Sequence, residues 1–181
     1  MNSLHARSTD DSILYFAYGS NMLTERLRQR TPSCRPLGTA QLPGYRLKFH
    51  KRSTDGSGKC DAFHTGDPSH VVIGVLFHIC SAETQALDIA ESLGSGYERR
   101  RVIVNAQGSQ ERVEAELYIA MKTAIDASLK PYRWYKSLVT AGAREHGLSA
   151  AYRAHLENHP EIDDPDTQRH QDHMQLMAPA P

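Results

Sequence analysis

This sequence has few cysteines and no long apolar runs. The first shortage argues against a disulfide-bonded secreted protein, and the second argues against a membrane-spanning one. Cys34, Cys60 and Cys80 are the three cysteines, and none belongs to a C-x-x-C pair. Such isolated thiols indicate a reducing compartment, and we expect a cytoplasmic protein. No segment approaches the ~18 consecutive apolar residues that cross a bilayer. The polar first twelve residues lack the apolar centre of a secretory signal, so we expect no membrane association.

An excess of charge of either sign is also missing. Lys and Arg together number 21, and Asp and Glu together number 21. No global field therefore attracts nucleic acid or an anionic membrane. The ten histidines add positive charge only under mild acid. These counts favour a small molecule as the partner, with no nucleic acid and no membrane.

The length of 181 residues fits one domain with a sizeable core. We predict a disordered tail over residues 1–11, a single domain over 12–158 and a second disordered tail over 159–181, which ends in Ala-Pro-Ala-Pro. Histidine pairs near this end have the spacing of metal ligands on a helix. No acid or thiol joins them in a metal-binding pattern, so we expect no metal site.

Apolar periodicity predicts strands alternating irregularly with a few helices, which indicates the α+β class. The predicted strands are 13–18, 45–50, 71–79, 99–106 and 111–121. The predicted helices run from Ser20 or Asn21 to Arg30, from Ser81 to Leu93, from 132 to Gly147, and from Ser149 to before Pro160. Residues 51–70 are rich in Ser, Asp and Gly, and we expect a mobile loop there, with a lid over a site as the alternative.

The first motif is Tyr15-Phe16-Ala17-Tyr18-Gly19-Ser20-Asn21-Met22. Its apolar strand stops at Gly19, and Ser20 or Asn21 can cap the helix that follows. The first N–H groups of a helix have no partner inside it, so this turn is suited to binding an anion or a carbonyl oxygen. The alternative is a turn that only redirects the chain. Ser20 lacks the G-x-S-x-G pattern of a nucleophile, so we interpret it as a binding or capping residue.

A carboxylate lies within the apolar stripe of the second predicted helix. The stripe consists of Ala86, Leu87, Ala90 and Leu93. Glu91 follows Leu87 by four residues, so we expect its carboxylate to point toward the interior. A structural alternative is a carboxylate that reaches the surface or pairs with an arginine such as Arg99. An apolar environment would disfavour the charged form of Glu91 and suit it to proton transfer.

Three ordered motifs together resemble the γ-glutamylcyclotransferase (AIG2-like) family over residues 13–156. They are Y-F-A-Y-G-S-N-M, L-D-I-A-E-S-L-G-S-G-Y and Y-K-S-L-V-T-A-G-A-R-E-H-G-L-S. The resemblance implies that Glu91 is the general acid/base. It also implies a set of substrate-binding residues, namely Tyr15, Phe16, Ala17, Tyr18, Gly19, Ser20, Asn21, Tyr97 and Tyr135. Tyr97 departs from the family's spacing, because it follows Gly96 directly.

The resemblance also implies a fold and a reaction. The fold is a mixed sheet curled into a small barrel with helices outside. In the reaction, the α-amine of a γ-glutamyl amide attacks its own γ-carbonyl, which releases 5-oxoproline and an amine without a cofactor. The implied protein is a monomer or a homodimer. The motifs leave three alternatives open: a γ-glutamylamine substrate, a biosynthetic intermediate, or a non-catalytic member that only binds. They differ from the opening motif of the glutathione-specific branch.

Overall fold

The computed structural model describes residues 11–108 and 111–177. The strands are β1 (Ser12–Ala17), β2 (Arg35–Pro43), β3 (Tyr45–Arg52), β4 (Gly58–His64), β5 (Val71–Cys80), β6 (Tyr97–Ala106) and β7 (Arg112–Ala120). The helices are α1 (Thr24–Arg28), α2 (Thr84–Ala90), α3 (Arg133–Glu145), α4 (Ala150–Glu157) and α5 (Thr167–Gln175). Nearly all of the predicted N-terminal tail, and the last four residues of the C-terminal one, lie outside the described residues.

Five strands close into a barrel in the order β1-β5-β2-β6-β7. The apolar strand β5 is central, because it pairs antiparallel with β1 on one side and with β2 on the other. A parallel contact between Tyr15 of β1 and Glu116 of β7 completes the closure. The mixed α+β class and the barrel are thus confirmed. None of the helices in the described ranges has the length and apolar character needed to cross a membrane.

Residues 51–70 do not form a mobile loop, so that prediction was wrong. They contain β4, which pairs antiparallel with β3 to make a separate two-stranded sheet. The composition misled the prediction because much of the Ser, Asp and Gly lies in the turn over 53–57 and in the segment 65–70, on either side of β4. Within β4 the side chains of Cys60, Asp61 and Ala62 are buried. The Asp61 carboxylate accepts a hydrogen bond from the backbone N–H of Ala120, which attaches this sheet to the barrel.

Two of the three predicted helix caps are absent. Ser20 and Asn21 belong to a short 3-10 turn (Ser20–Met22), and α1 begins only at Thr24, with no side-chain cap. Ser81 likewise opens a 3-10 turn before α2 and caps nothing. The side chains of Ser20 and Asn21 are hydrogen-bonded instead to Arg26, and to Tyr15, Arg30 and Glu91. Ser149 does cap α4, because its hydroxyl accepts a hydrogen bond from the backbone N–H of Tyr152.

The C-terminal segment is ordered through residue 177, contrary to the predicted disordered tail. Its helix α5 packs against α3, where the ring of His173 stacks on Trp134 with centroids 3.8 Å apart. The indole N–H of Trp134 donates to the Asp164 carboxylate at 2.7 Å, and Arg169 pairs with the same carboxylate. The polar composition suggested a tail, but one buried tryptophan supplies the docking surface.

The stacking of His173 predicts that docking of α5 weakens in acid. Burial, together with the nearby positive charges of Arg26 and Lys59, lowers the pKa of His173 to about 4. Between pH 6.5 and pH 4 this histidine is therefore protonated in the unfolded chain and still neutral in the folded protein. The free energy of unfolding is highest above pH 6.5 and falls as the pH approaches 4. We expect a loss of roughly 1–2 kcal/mol, after discounting for partial exposure.

Thermal unfolding of the wild type and of His173→Phe between pH 4 and pH 7 measures this effect. Phenylalanine keeps an aromatic ring against Trp134 and has no proton to gain. We expect the variant to lose clearly less stability over this interval than the wild type does. Parallel curves for the two proteins would show that His173 does not control the acid response.

Candidate active site

The strand β1 and the 3-10 turn after it form one wall of a cleft. Gly19 joins them, and its position is crowded: an added Cβ would lie 3.1 Å from the Cβ of Cys60 and 3.2 Å from the hydroxyl oxygen of Tyr135. The glycine thus allows β4 and α3 to approach the turn closely. Ser20 and Asn21 follow at the cleft surface and are largely buried. Gly19 also lines the cleft itself.

Glu91 lies at the C-terminal end of α2, where its side chain is only 15% exposed. The helix stops at Ala90, so Glu91 is the residue that terminates it. The predicted apolar stripe is largely wrong, because only Leu87 of its members is buried and Leu93 is 43% exposed. The inward direction of the carboxylate is as expected. It results from the end of the helix and from polar partners, not from an apolar face.

The carboxylate of Glu91 belongs to a hydrogen-bonded network with the first motif. Its Oε1 accepts from Nδ2 of Asn21 at 2.9 Å and from a guanidinium nitrogen of Arg30 at 2.6 Å. The same Arg30 nitrogen donates to Oδ1 of Asn21 at 2.8 Å. Nδ2 of Asn21 also donates to the hydroxyl of Tyr15 at 2.9 Å. Within the described ranges no protein group donates to Oε2 of Glu91, so this oxygen is available to a ligand.

The surroundings of Glu91 are therefore polar, not apolar as the sequence suggested. The expected alternative of an arginine partner is partly realised, since Glu91 does pair with an arginine. That arginine is Arg30, while Arg99 lies beside Asp88 and Glu116. The ion pair of Arg30 and Glu91 lies inside the cleft, and both residues contact Asn21 of the first motif. It fixes one carboxylate oxygen and leaves the other exposed to the cavity.

Tyrosines surround the carboxylate in a small cleft. We call it the tyrosine cleft; its lining residues are Tyr15, Tyr18, Gly19, Ser20, Asn21, Cys60, Glu91, Tyr97, Tyr118 and Tyr135. The hydroxyl of Tyr97 donates to the carbonyl of Cys60 at 2.6 Å, and the hydroxyl of Tyr135 accepts from the N–H of Cys60 at 3.1 Å. Burial raises the pKa of both phenols, so they are neutral hydrogen-bonding groups.

A second, larger cavity adjoins the tyrosine cleft. Both are lined by Ser20, Glu91, Tyr97 and Tyr135. We call it the basic hollow. Its charged residues are Arg26, Arg30, Lys51, Asp55, Lys59 and Glu91. Trp134 forms part of its wall. The carboxylate of Glu91 therefore lies at the boundary between a tyrosine-lined space and a positively charged one.

Most of the site residues predicted from the sequence meet in the tyrosine cleft, and two do not. Glu91, Tyr97, Tyr135 and five residues of the first motif line it. Phe16 and Ala17 do not, because both are fully buried in the barrel core. Side chains alternate along a strand, so Phe16 points away from the side on which Tyr15 faces the cleft. The sequence motif includes them for packing.

Several lining residues were not singled out from the sequence. Arg30 is the most important of them, since it contacts both Glu91 and Asn21. Its place nine residues after Asn21, at the end of a short helix, does not distinguish it from the other arginines in the sequence. Cys60 and Tyr118 come from β4 and β7, and only strand pairing brings them to the cleft. No local sequence signal identifies these residues.

The barrel and the cleft define an α+β protein with a buried carboxylate in a site sized for a small molecule. A sequence model of the family described as "Gamma-glutamyl cyclotransferase, AIG2-like" matches residues 15–137. This span is more than half of the chain, so the chain belongs to the γ-glutamyl cyclotransferase, AIG2-like family. The family resemblance stated from the motifs is thereby confirmed.

Named relatives agree with this assignment. The γ-glutamylcyclotransferase of Bos taurus is 33% identical over 158 residues, which cover 83% of this chain and 80% of the bovine one. The γ-glutamylcyclotransferase of Homo sapiens is 32% identical over 155 residues, with coverage of 81% and 78%. A solved structure described as "Gamma-glutamyl cyclotransferase" superposes with a TM-score of 0.80 at 28% identity and covers 91% of this chain and 98% of its own.

Proposed function

We propose that this protein is a γ-glutamylcyclotransferase that converts a γ-glutamyl amide into 5-oxoproline and a free amine or amino acid. One observation carries the proposal: the carboxylate of Glu91 lies in the tyrosine cleft, with one oxygen held by Asn21 and Arg30 and the other available. Family membership and the named relatives support the same activity. The partner is a small-molecule substrate.

The substrate contains both reacting groups, so the protein has to fold it and move protons. The 3-10 turn supports binding, because its first N–H groups have no partner inside the turn and Ser20 and Asn21 face the cleft. These N–H groups bind the α-carboxylate of the γ-glutamyl unit or the oxygen that becomes negative on attack. Folding of the chain of the substrate then brings the α-amine against the γ-carbonyl.

In the proposed mechanism Glu91 acts as general base and then as general acid. Its Oε2 removes a proton from the α-ammonium group, and the free amine attacks the γ-carbonyl carbon. After the attack the ring nitrogen still carries one proton more than the lactam nitrogen does. Glu91 gives the proton it holds to the leaving nitrogen and takes this second proton from the ring nitrogen. The C–N bond to the leaving amine breaks, and the second proton leaves with the freed amine as its ammonium form. Arg30 and Asn21 keep Oε1 in place during these transfers. The neutral phenols of Tyr97 and Tyr135 enclose the reacting atoms.

A substrate panel tests the proposed function. The purified protein is incubated with γ-glutamyl amino acids, γ-glutamylamines and glutathione, and 5-oxoproline is measured by mass spectrometry. We expect lactam formation from at least one γ-glutamyl compound. If ligands raise the melting temperature and no compound yields 5-oxoproline, the protein is a binding member of the family and the proposal fails.

Tyr135→Phe should have a milder effect than loss of Glu91. The substitution removes the hydroxyl that accepts the hydrogen bond of the Cys60 N–H, which leaves a buried donor unpaired. We expect a cost of about 1–3 kcal/mol in stability and a fall in kcat/KM of roughly tenfold. Chemical denaturation and steady-state kinetics measure the two effects. A loss of activity as large as that of Glu91→Gln would give Tyr135 a direct part in the chemistry.

We further propose that the protein works in the cytoplasm. Cys34, Cys60 and Cys80 are all free thiols, and Cys34 and Cys60 are buried. Free thiols are typical of a reducing compartment.

A further inference from the structure

The basic hollow carries more positive charge than its own carboxylates neutralise. Four cationic side chains and two carboxylates line it, in a chain whose total charges balance. Two of the cations have carboxylate partners: Arg30 pairs with Glu91, and Lys59 pairs with Asp55 at 2.7 Å. The remaining two are Arg26 and Lys51, and no carboxylate of the described residues lies within ion-pair distance of either.

Of the two cations, Lys51 gives the stronger indication of an anionic ligand. The residue is only 7% exposed, and its ammonium group lies 4.6 Å from the centre of the Tyr97 ring. No hydrogen-bond acceptor from the described part of the protein contacts this ammonium. Burial lowers the pKa of Lys51, although the negative charges of Glu91 and Asp55 act in the opposite direction. A buried ammonium group in a cavity wall is suited to an incoming anion.

Arg26 also lines the hollow. Its Nε donates to the hydroxyl of Ser20 at 3.0 Å, and a terminal guanidinium nitrogen lies 3.5 Å from Nδ1 of His173. Burial lowers the pKa of Arg26 to about 10, so the guanidinium is desolvated but still charged at neutral pH. An arginine donates several hydrogen bonds in a fixed plane, and those not used by Ser20 and His173 are available to a carboxylate.

The position of the hollow identifies which part of the substrate enters it. In the proposed mechanism Glu91 protonates the leaving nitrogen, so the group attached to that nitrogen lies next to Glu91. In that mechanism the γ-glutamyl unit occupies the tyrosine cleft, and the hollow is the adjoining space that also has Glu91 in its wall. The leaving group therefore extends toward Lys51 and Arg26.

Resting on the proposed cyclotransferase function, we propose that the preferred substrate is a γ-glutamyl amide whose leaving amino acid carries a second anionic group. Any leaving amino acid brings one α-carboxylate, whose single negative charge neutralises only one of the two unpaired positive charges. An acidic side chain pairs with the other and completes the charge balance of the hollow. Lys51 and Arg26 are then the residues that determine this specificity.

Competition between two nearly isosteric dipeptides tests the specificity. We expect kcat/KM for γ-glutamylglutamate to exceed that for γ-glutamylglutamine by roughly tenfold or more, mainly through a lower KM. Lys51→Met keeps the length and apolar stem of the side chain and removes its charge. This variant should reduce the preference to within about threefold. Lys48→Met is the matched control, since Lys48 lies on the same strand outside the hollow and should leave the preference intact.

The outcomes separate this inference from the proposed function. Turnover of both dipeptides with equal kcat/KM, or a preference that survives in Lys51→Met, overturns the specificity and leaves the cyclotransferase function standing. If neither dipeptide nor any other γ-glutamyl compound is cyclised, the proposed function fails. In that case the affinities of the two dipeptides for the wild type, measured by calorimetry, test the charge selectivity without turnover. Tighter binding of γ-glutamylglutamate supports the selectivity, and equal affinity refutes it.

Discussion

Glu91→Gln is expected to lower the rate of 5-oxoproline formation by a factor on the order of 10²–10⁴, the usual contribution of a general acid/base. Glutamine has nearly the same shape, and its carbonyl oxygen can still accept the hydrogen bond from Asn21. Its amide cannot take a proton from the α-ammonium group or return one to the leaving nitrogen. Steady-state assays with the best substrate of the panel measure the loss, and circular dichroism checks the fold.

Glu116→Gln is a matched control for this prediction. The side chain of Glu116 is 15% exposed, the same fraction as that of Glu91, and it also lies beside arginines, Arg99 and Arg101. It lies outside the tyrosine cleft. We expect its activity to remain within about threefold of the wild type. Turnover by Glu91→Gln at the level of Glu116→Gln would exclude Glu91 as the acid/base.

Gly142→Ala is expected to produce the largest loss of stability. The position lies where α3 crosses the 3-10 turn of the first motif, and an added Cβ would be 2.4 Å from the backbone nitrogen of Leu23 and 2.6 Å from the carbonyl carbon of Met22. Both atoms belong to the peptide bond between Met22 and Leu23, and this backbone leaves no room for a methyl group. We expect a cost of about 3 kcal/mol and a fall in Tm of roughly 6–12 °C.

The expected destabilisation by Gly142→Ala is opposite in sign to the usual effect of this substitution in a helix. In an uncrowded helix interior, alanine in place of glycine stabilises the protein by about 1 kcal/mol. Ser137→Ala, on the same helix and only partly buried, is the control and should change stability by less than about 0.5 kcal/mol. We also expect a large loss of activity in Gly142→Ala, because the displaced turn carries Ser20 and Asn21. A stabilised, active Gly142→Ala would contradict the close approach of α3 and the turn.

The elements predicted best are those in which the local pattern and the tertiary environment agree. The continuous apolar run of β5 is buried between its two neighbouring strands in the barrel. In β3 the predicted alternation of apolar and polar side chains corresponds to alternating buried and more exposed positions. Helix α3 begins after Pro131 and ends before Gly147, as its spacing predicts. The errors over residues 51–70 and 159–177 occur where composition was the only signal. Polar residues in β4 and α5 were interpreted as loop and tail, although Asp61 and Asp164 are buried with hydrogen-bond partners.

The candidate site divides in the same way. Local sequence alone determined the strand-turn motif, the family resemblance and the choice of Glu91, because a motif is a short run of residue types that can be read without neighbours. Only the tertiary structure decided that Arg30 holds Glu91, that Phe16 faces the core, and that Lys51 and Arg26 share one cavity. These facts depend on pairing between distant strands and on where a short helix stops, and distances between remote side chains have no local signature in the chain.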